Sequence, residues 1–403
     1  MLSNLSNDIR QYLIITGNYW AFTLTDGALR MLVVLHFHGL GFSPLDIALL
    51  FLFYEFFGVV TNLIGGWLGA RIGLNRTMNI GLALQIVALL MLTTPASWLT
   101  IPWVMVAQAL SGIAKDLNKM SAKSAVKSLI PKEAPGQLFK WVAFLTGSKN
   151  ALKGIGFFLG GLLLSTLGFQ GALTAMACAL FLCWISSILL LQKDLGKSSS
   201  KPKFREIFSK SRAVNILSGA RLCLFASRDV WFVVALPVFL SESFHWNFWQ
   251  TGGFLALWII GYGIVQSLAP RLLSRSGSKP RHKESVVLWA GLLAVIPAAM
   301  GGALYLHLNP YFVVIGGLLA FAIVFAINSA LHSFLIVHFA SEEGTSLDVG
   351  FYYMANAMGR LIGTVLSGTI FQVYGLTACL LVSAGFLATT TLISLALPDT
   401  TEK

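Results

Sequence analysis

The chain alternates long apolar runs with short polar connections from one end to the other. Apolar segments fall at roughly 12–37, 45–69, 77–95, 99–120, 138–167, 171–192, 213–240, 248–273, 285–306, 311–339, 347–373 and 376–397. Their lengths suit the roughly 20 apolar residues that a helix needs to cross a bilayer. The pattern therefore predicts an all-α polytopic membrane protein with twelve transmembrane helices. The connections are of two kinds. Gly39 to Ser43, Pro95 to Ser97 and Gly168 to Gln170 are very short. The longest polar stretch, Lys193 to Arg212, is rich in Ser and Lys and divides the chain nearly in half. It reads as a solvated linker. The expected organisation is an N-terminal six-helix bundle over 1–192, a basic linker over 193–212 and a C-terminal six-helix bundle over 213–403.

Composition narrows the class. The 403 residues are 56% apolar and only 11% charged, with a mean hydropathy of +0.76. A soluble domain carries about 25% charged residues. A chain this poor in charge cannot dress a water-facing surface, which excludes soluble enzymes, nucleic-acid readers and disordered proteins. The net charge of +12 has a simpler origin than a nucleic-acid partner. Lys and Arg crowd into alternate connections: Arg71 and Arg76; Lys123, Lys127 and Lys132; Lys193 to Arg212; Arg275 to Lys283. The other connections contain neither residue. The positive-inside rule then places both termini and the central linker in the cytoplasm, as expected of a multi-pass protein of a bacterial inner membrane. Met1 to Gln11 is polar and is not expected to be a cleavable signal. Cys178, Cys183, Cys223 and Cys379 lie scattered in apolar runs, without CxxC spacing, and read as packing residues rather than metal ligands or disulfide partners.

The two halves repeat. Asp26 in segment one precedes Arg71 and Gly73 much as Asp229 in segment seven precedes Arg271 and Gly277. Segment five reads KGIGFFLGGLLLSTLG from Lys153, and segment eleven reads RLIGTVLSGTIFQVYG from Arg360. Lys153 falls on Arg360, Gly156 on Gly363, Gly161 on Gly368 and Gly168 on Gly375. Paired six-helix repeats are a transporter architecture. Gly66, Leu68, Arg71 and Gly73, after segment two, match the glycine- and arginine-rich loop motif of the major facilitator superfamily, which the chain resembles over essentially its whole length. The motif's acidic position holds Ala70 and its next basic position Leu74, so the family's charge latch departs from its usual form here.

Charges at membrane depth persist only where they face protein or a watery cavity. Here they are Asp26, Arg30, Glu55, Lys115, Asp116, Lys119, Lys149, Lys153, Arg221, Arg228, Asp229 and Arg360. Segments three, six, nine and twelve carry none in their spans, and in the resembled fold every third helix faces lipid. Cations outnumber acids among these residues, which points to a cavity for a multiply charged oxyanion such as a phosphate or carboxylate compound. The Arg fork suits such groups. The candidate substrate ligands are Lys149, Lys153, Arg360, Arg228, Arg30, Arg221 and Lys115. Asp26 and Glu55 are candidate proton carriers. A structural alternative stands beside each: Asp26 can pair with Arg30 four residues on, Asp116 with Lys115 or Lys119, and Asp229 with Arg228 or a cation from a neighbouring helix. His332, with Asn328 one turn earlier, either lines the cavity or is a satisfied core histidine.

Catalytic signatures are missing from the chain. It holds no GxSxG, HExxH or P-loop, and His36 and His38 have no carboxylate or third ligand beside them. An enzyme or an ATP-driven pump is not expected, and no metal or cofactor is implied. Three stretches carry a closer resemblance: NYWAFTLTDGALRMLVVLHFH from Asn18, QALSGIAKDLNKMSAKSA from Gln108 and LTGSKNALKGIGFFLGG from Leu145. They resemble the organoarsenical efflux permeases of bacterial arsenate-resistance operons, the ArsJ type. The resemblance implies export of 1-arseno-3-phosphoglycerate, made by a glyceraldehyde-3-phosphate dehydrogenase when arsenate replaces phosphate. It also implies a functional partnership with that dehydrogenase. A pentavalent oxyanion ester calls for cations, where a trivalent arsenite carrier would gather thiols. The alternative is a facilitator-type exporter or exchanger of another phosphorylated metabolite or of a drug.

Overall fold

The computed structural model describes residues 7–41, 50–129, 135–192, 195–197, 203, 204, 207, 211–274, 282–342 and 344–398. Most of the Lys193 to Arg212 linker, Lys132 and residues 275–281 of the Arg275 to Lys283 connection lie outside them. Within them the regular structure is helical. A bilayer offers no water to an unpaired amide, and helices satisfy their backbone internally. The helices are α1 (Asn7–Gly39), α2 (Leu52–Ile72), α3 (Leu74–Met91), α4 (Ile101–Leu129), α5 (Pro135–Leu190), α6 (Arg212–Phe232), α7 (Ala235–Phe244), α8 (Phe248–Ser274), α9 (His282–Tyr305), α10 (Pro310–Phe339) and α11 (Thr345–Leu395). Seven described stretches are long and apolar enough to cross a membrane by length and composition.

The helices depart from the sequence-based segments at four places. Segments five and six form one helical stretch, α5, broken only at Gly168 (φ 68, ψ 179). Segments eleven and twelve form α11, broken at the equivalent Gly375 (φ 73, ψ −174). Positive φ is a conformation that glycine adopts without steric cost. Segment seven was expected to be continuous, yet it is split into α6 and α7 at Val233–Val234. Pro237 is the cause: it lacks an N–H and its ring collides with the carbonyl four residues back, at Val233. The Ala235 amide at the break donates to Ser367 Oγ at 3.1 Å. Helix α4 runs on through Leu129, so Lys123 and Lys127, read from sequence as loop cations, are helical. Lys123 is buried at 2% exposure.

Two compact units emerge. Unit 1 comprises Met1–Trp141, Ser148–Ser209 and Ala340–Met354; unit 2 comprises Val142–Gly147, Lys210–Phe339 and Ala355–Lys403. In unit 2 an aromatic core gathers Trp231, Trp258, Phe321 and Phe325 with Leu236, Leu293 and Leu318. Large apolar residues face outward on many of the spans, among them Leu189 (76% exposed), Leu392 (67%) and Val295 (62%) on segments six, twelve and nine, and Phe312 (73%) and Leu257 (63%) on segments ten and eight. These side chains are solvated by lipid tails in a membrane.

Candidate functional site

In unit 1 the membrane-depth charges converge on Tyr54 of α2, a residue the charge pattern had not singled out. Its hydroxyl donates to Asp26 Oδ1 at 2.6 Å. Its ring takes the Arg30 guanidinium at 4.8 Å and the Lys115 ammonium at 3.8 Å from the centroid. Cations are drawn to the negative face of an aromatic ring. Tyr54 is 2% exposed and Asp26 4%. The close approach of α4 is possible because residue 112 is glycine: a Cβ there would stand 2.6 Å from the Tyr54 carbonyl oxygen.

The ion pairs around this ring differ from the simplest sequence reading. Arg30 does not take Asp26, four residues before it, as its carboxylate; its Nη2 lies 3.2 Å from Glu55 Oε1 on α2. Asp26 Oδ2 instead has Lys153 Nζ at 4.0 Å. Asp116 is shared, with Lys119 at 2.5 Å and Lys115 at 3.8 Å. Lys149 donates to Asn150 Oδ1 at 3.3 Å. Helices α1 and α5 meet through glycines. A Cβ at Gly27 would lie 2.8 Å from the Lys153 carbonyl oxygen, and one at Gly156 would lie 2.8 Å from that of Leu24. This contact sets Lys153 beside Asp26.

Unit 2 builds the same arrangement from the second repeat. Asp229, fully buried, is held by two arginines. Arg228 Nη2 lies 2.5 Å from its Oδ1, and Arg360 Nε donates to its Oδ2 at 3.2 Å. Gly363 allows the approach, since a Cβ there would stand 2.7 Å from the Ala226 carbonyl oxygen and 2.9 Å from Asp229 Cβ. Arg228 also lies over Phe225 at 4.7 Å. One turn and more away, Arg221 is buried at 3% exposure, with Nε on Asn356 Oδ1 at 3.0 Å and Nη1 on Ser329 Oγ at 3.1 Å. Asn328 and His332 are both fully buried on α10, and neither side chain has a hydrogen-bond partner among the described residues. A histidine satisfied within the core is therefore not what the structure holds. A groove of ≈ 740 Å³ in unit 2, lined by Val234, Val238, Glu242, Val365 and Phe371 with the repeat glycines Gly368 and Gly375, contains none of the candidate substrate ligands or proton carriers.

The loop-motif residues lie apart from these clusters. Arg71 is exposed, its guanidinium 5.1 Å from the Trp67 ring centroid. Gly73 (φ 100, ψ 149) makes the turn between α2 and α3. Leu74, at the position where the motif carries a basic residue, is buried and its amide donates to the Leu195 carbonyl at 2.8 Å. Gly66 is a packing position: its carbonyl accepts from Ser346 Oγ at 2.6 Å, and a Cβ on it would stand 3.0 Å from Gly350 Cα.

What the two clusters can do chemically is hold anions. Paired cations around one carboxylate keep net positive charge in a desolvated setting, and the Arg forks and Lys ammoniums all donate. Tyr54, Asn356 and Ser329 were missed from sequence because neutral polar residues on apolar helices give no charge signal. Tyr54 had one weak marker, its place next to Glu55.

Solved structures with the same fold transport a range of solutes. The chain is similar to the human organic anion transporter MFSD10 (15% identity, 96% of this chain and 99% of that one, TM-score 0.75). It is similar also to a bacterial homologue of the iron transporter ferroportin in an outward-facing state (16% identity, 97% and 99%, TM-score 0.74). A third is the proton:xylose symporter XylE (13% identity, 98% and 97%, TM-score 0.71). No curated protein matches the sequence. The Major Facilitator Superfamily profile matches residues 12–347, and the chain belongs to that superfamily of membrane transporters.

Proposed function

We propose that the protein is a secondary transporter that exports an anionic organoarsenical, 1-arseno-3-phosphoglycerate, across the bacterial inner membrane and so confers arsenate resistance. The carrying observation is the charge balance of the two clusters. Asp229 sits between Arg228 and Arg360, with Arg221 nearby on neutral partners. In unit 1, Asp26, Glu55 and Asp116 are set among Arg30, Lys115, Lys119, Lys149 and Lys153. Excess positive charge removed from water is costly unless an anion or water compensates it. A substrate bearing carboxylate, phosphate and arsenate groups supplies that compensation. Arg228, Arg360 and Arg221 bind through bidentate forks, while Lys153, Lys149, Lys115 and Arg30 supply point charges and one further fork. The residues of ArsJ-type resemblance carry part of this set: Asp26 and Arg30, Lys115, and Lys149 with Lys153.

In this reading both termini and the linker over 193–212 face the cytoplasm, and a glyceraldehyde-3-phosphate dehydrogenase supplies the substrate there. The experiment uses everted membrane vesicles given purified dehydrogenase, glyceraldehyde 3-phosphate, NAD and labelled arsenate. Vesicles containing the protein should accumulate arsenic only when the dehydrogenase is active. Equal accumulation in vesicles lacking the protein overturns the reading. Accumulation of 3-phosphoglycerate without any arsenic transport would instead assign a phosphorylated metabolite as cargo.

A further inference from the structure

Helix α10 presents a polar corner inside unit 2 that the ion pairs do not use. Phe325, Asn328, Ser329 and His332 recur at helical spacing and share one face. Phe325 turns that face toward α6 and α8, packing on Phe225 at 5.4 Å and on Tyr262 at 5.7 Å between ring centroids. Ser329 Oγ accepts from both of those helices, from Arg221 Nη1 on α6 at 3.1 Å and from Gln266 Nε2 on α8 at 3.2 Å. The Arg221 charge is felt at the His332 ring. Arg221 lies over Phe225 at 4.1 Å, and Arg228 lies over the same ring at 4.7 Å. Phe225 thus joins this corner to the Asp229 cluster.

Asn328 and His332 are both fully buried. The amide oxygen and nitrogen of the one, and both ring nitrogens of the other, have no hydrogen-bond partner among the described residues. Burying polar atoms without partners destabilises a protein. Here two such side chains stand one turn apart beside a buried arginine. Their chemistry selects the group that would match them. An amide offers donors and an acceptor, and a neutral imidazole offers one of each. An oxyanion only accepts, so it would leave the Asn328 carbonyl and the bare ring nitrogen unmatched. An ammonium only donates, and Arg221 repels it. A hydroxyl does both, so one oxygen can bridge the pair, accepting from one side chain and donating to the other.

We propose that Asn328 and His332 are specificity-determining residues that bind a hydroxyl of the cargo, next to an acidic group held by Arg221. The cargo class is a phosphorylated 2-hydroxy acid or its acyl derivative. The inference rests on the anion-export reading and adds which uncharged group of the cargo is recognised, the hydroxyl beside the acyl carbon. Enclosure by protein keeps bulk water from competing for that hydrogen bond. Alternating access opens such positions to cargo in turn.

The test measures binding of two acids to the purified full-length protein in phosphatidylcholine nanodiscs. One is 3-phosphoglycerate; the other is 3-phosphooxypropionate, which lacks only the 2-hydroxyl. Wild type should bind the hydroxy acid about tenfold more tightly, the effect of one hydroxyl matched on both sides. Asn328→Leu and His332→Phe should each cut that preference to about twofold or less, chiefly by weakening the binding of 3-phosphoglycerate. His332→Gln keeps a donor and an acceptor and should restore part of it. With no acid present, Asn328→Leu and His332→Phe should melt no lower than wild type, because each deletes unmatched polar atoms. Equal affinity of wild type for the two acids, or a tenfold preference that survives both substitutions, overturns the hydroxyl site while the export reading stands. A lower melting temperature with the preference intact assigns the pair to the core and likewise overturns it. Should one variant fail to insert, the wild-type comparison and the other variant still decide. Wild-type protein that binds neither acid overturns both readings.

Discussion

Arg360 Nε donates to Asp229 Oδ2 at 3.2 Å, and the sequence-equivalent lysine of the first repeat, Lys153, lies 4.0 Å from Asp26. An acid on the first helix of each half faces a cation on the fifth. In both cases a glycine three residues after the cation, Gly156 or Gly363, brings the helices together. The repeated unit is therefore an ion pair together with the packing that sets it.

Removing the cation tests its role. Lys153→Met and Arg360→Met should each insert at near-normal levels and abolish arsenate resistance, because Asp229 keeps Arg228 and Asp26 keeps the Tyr54 hydroxyl. Arg360→Lys should be partly tolerated, since charge remains and the fork is lost. Immunoblotting beside growth on arsenate checks this. Full resistance in both methionine variants removes these residues from the substrate site.

Removing the acid should act differently. Asp229→Asn leaves Arg228 and Arg360 facing each other in a buried setting, and breaking one partner of a buried ion pair costs about 3–5 kcal/mol. Loss of thermal stability in detergent, rather than loss of affinity in a stable protein, is the expected result.

Tyr54 separates ring from hydroxyl. Tyr54→Phe keeps the face that holds Arg30 and Lys115 and deletes the bond to Asp26, at a cost of about 1–3 kcal/mol in stability. Tyr54→Ala also removes the cation contacts and should lose transport altogether. Comparable transport by the alanine and phenylalanine variants would show that the ring contributes nothing.

Coupling can be read from flux. Each elementary charge crossing 100 mV is worth about 2.3 kcal/mol, so an anion of charge about −3 leaving a negative interior gains about 7 kcal/mol per 100 mV. Export can therefore run without protons. If Asp26 or Glu55 carries a proton, collapsing the pH gradient at fixed potential slows vesicle flux, and the carrier is the acid whose amide variant, Asp26→Asn or Glu55→Gln, makes flux insensitive to that gradient. Unchanged wild-type flux assigns a uniporter.

Topology is checked by labelling. Single cysteines at Ser97 and at Ser199, which lies outside the described residues, should react from opposite faces of the membrane in a cysteine-free protein. Labelling from the same face contradicts the twelve-span topology.

The helices were legible because lipid imposes a length and a polarity on each of them. The Asp26, Lys153, Asp229 and Arg360 set was legible because charge at membrane depth stands out against an apolar background. The partners were less so. Arg30 takes Glu55 across to α2 instead of Asp26 on its own helix, a choice made by helix rotation and packing that spacing does not encode. Lys123 read as a loop residue because positive charge near a span's end usually is one. Its burial depends on Tyr353, far away in sequence. The break of segment seven at Val233–Val234 went unread because Pro237 sits inside an apolar run, and only its ring's clash with the carbonyl one turn back places the break.

Gly168 and Gly375 each join two spans through a single non-helical residue. During synthesis, neither span of such a pair can be delivered to the bilayer alone, because no slack separates the first from the second. The pairs 138–167 with 171–192 and 347–373 with 376–397 must leave the translocation machinery as ready-made hairpins. Leu167 (51% exposed) and Tyr374 (73%) stand beside these two turns, so what each turn lacks is length rather than access. A tag inserted at either one would interrupt biogenesis before it reported on anything.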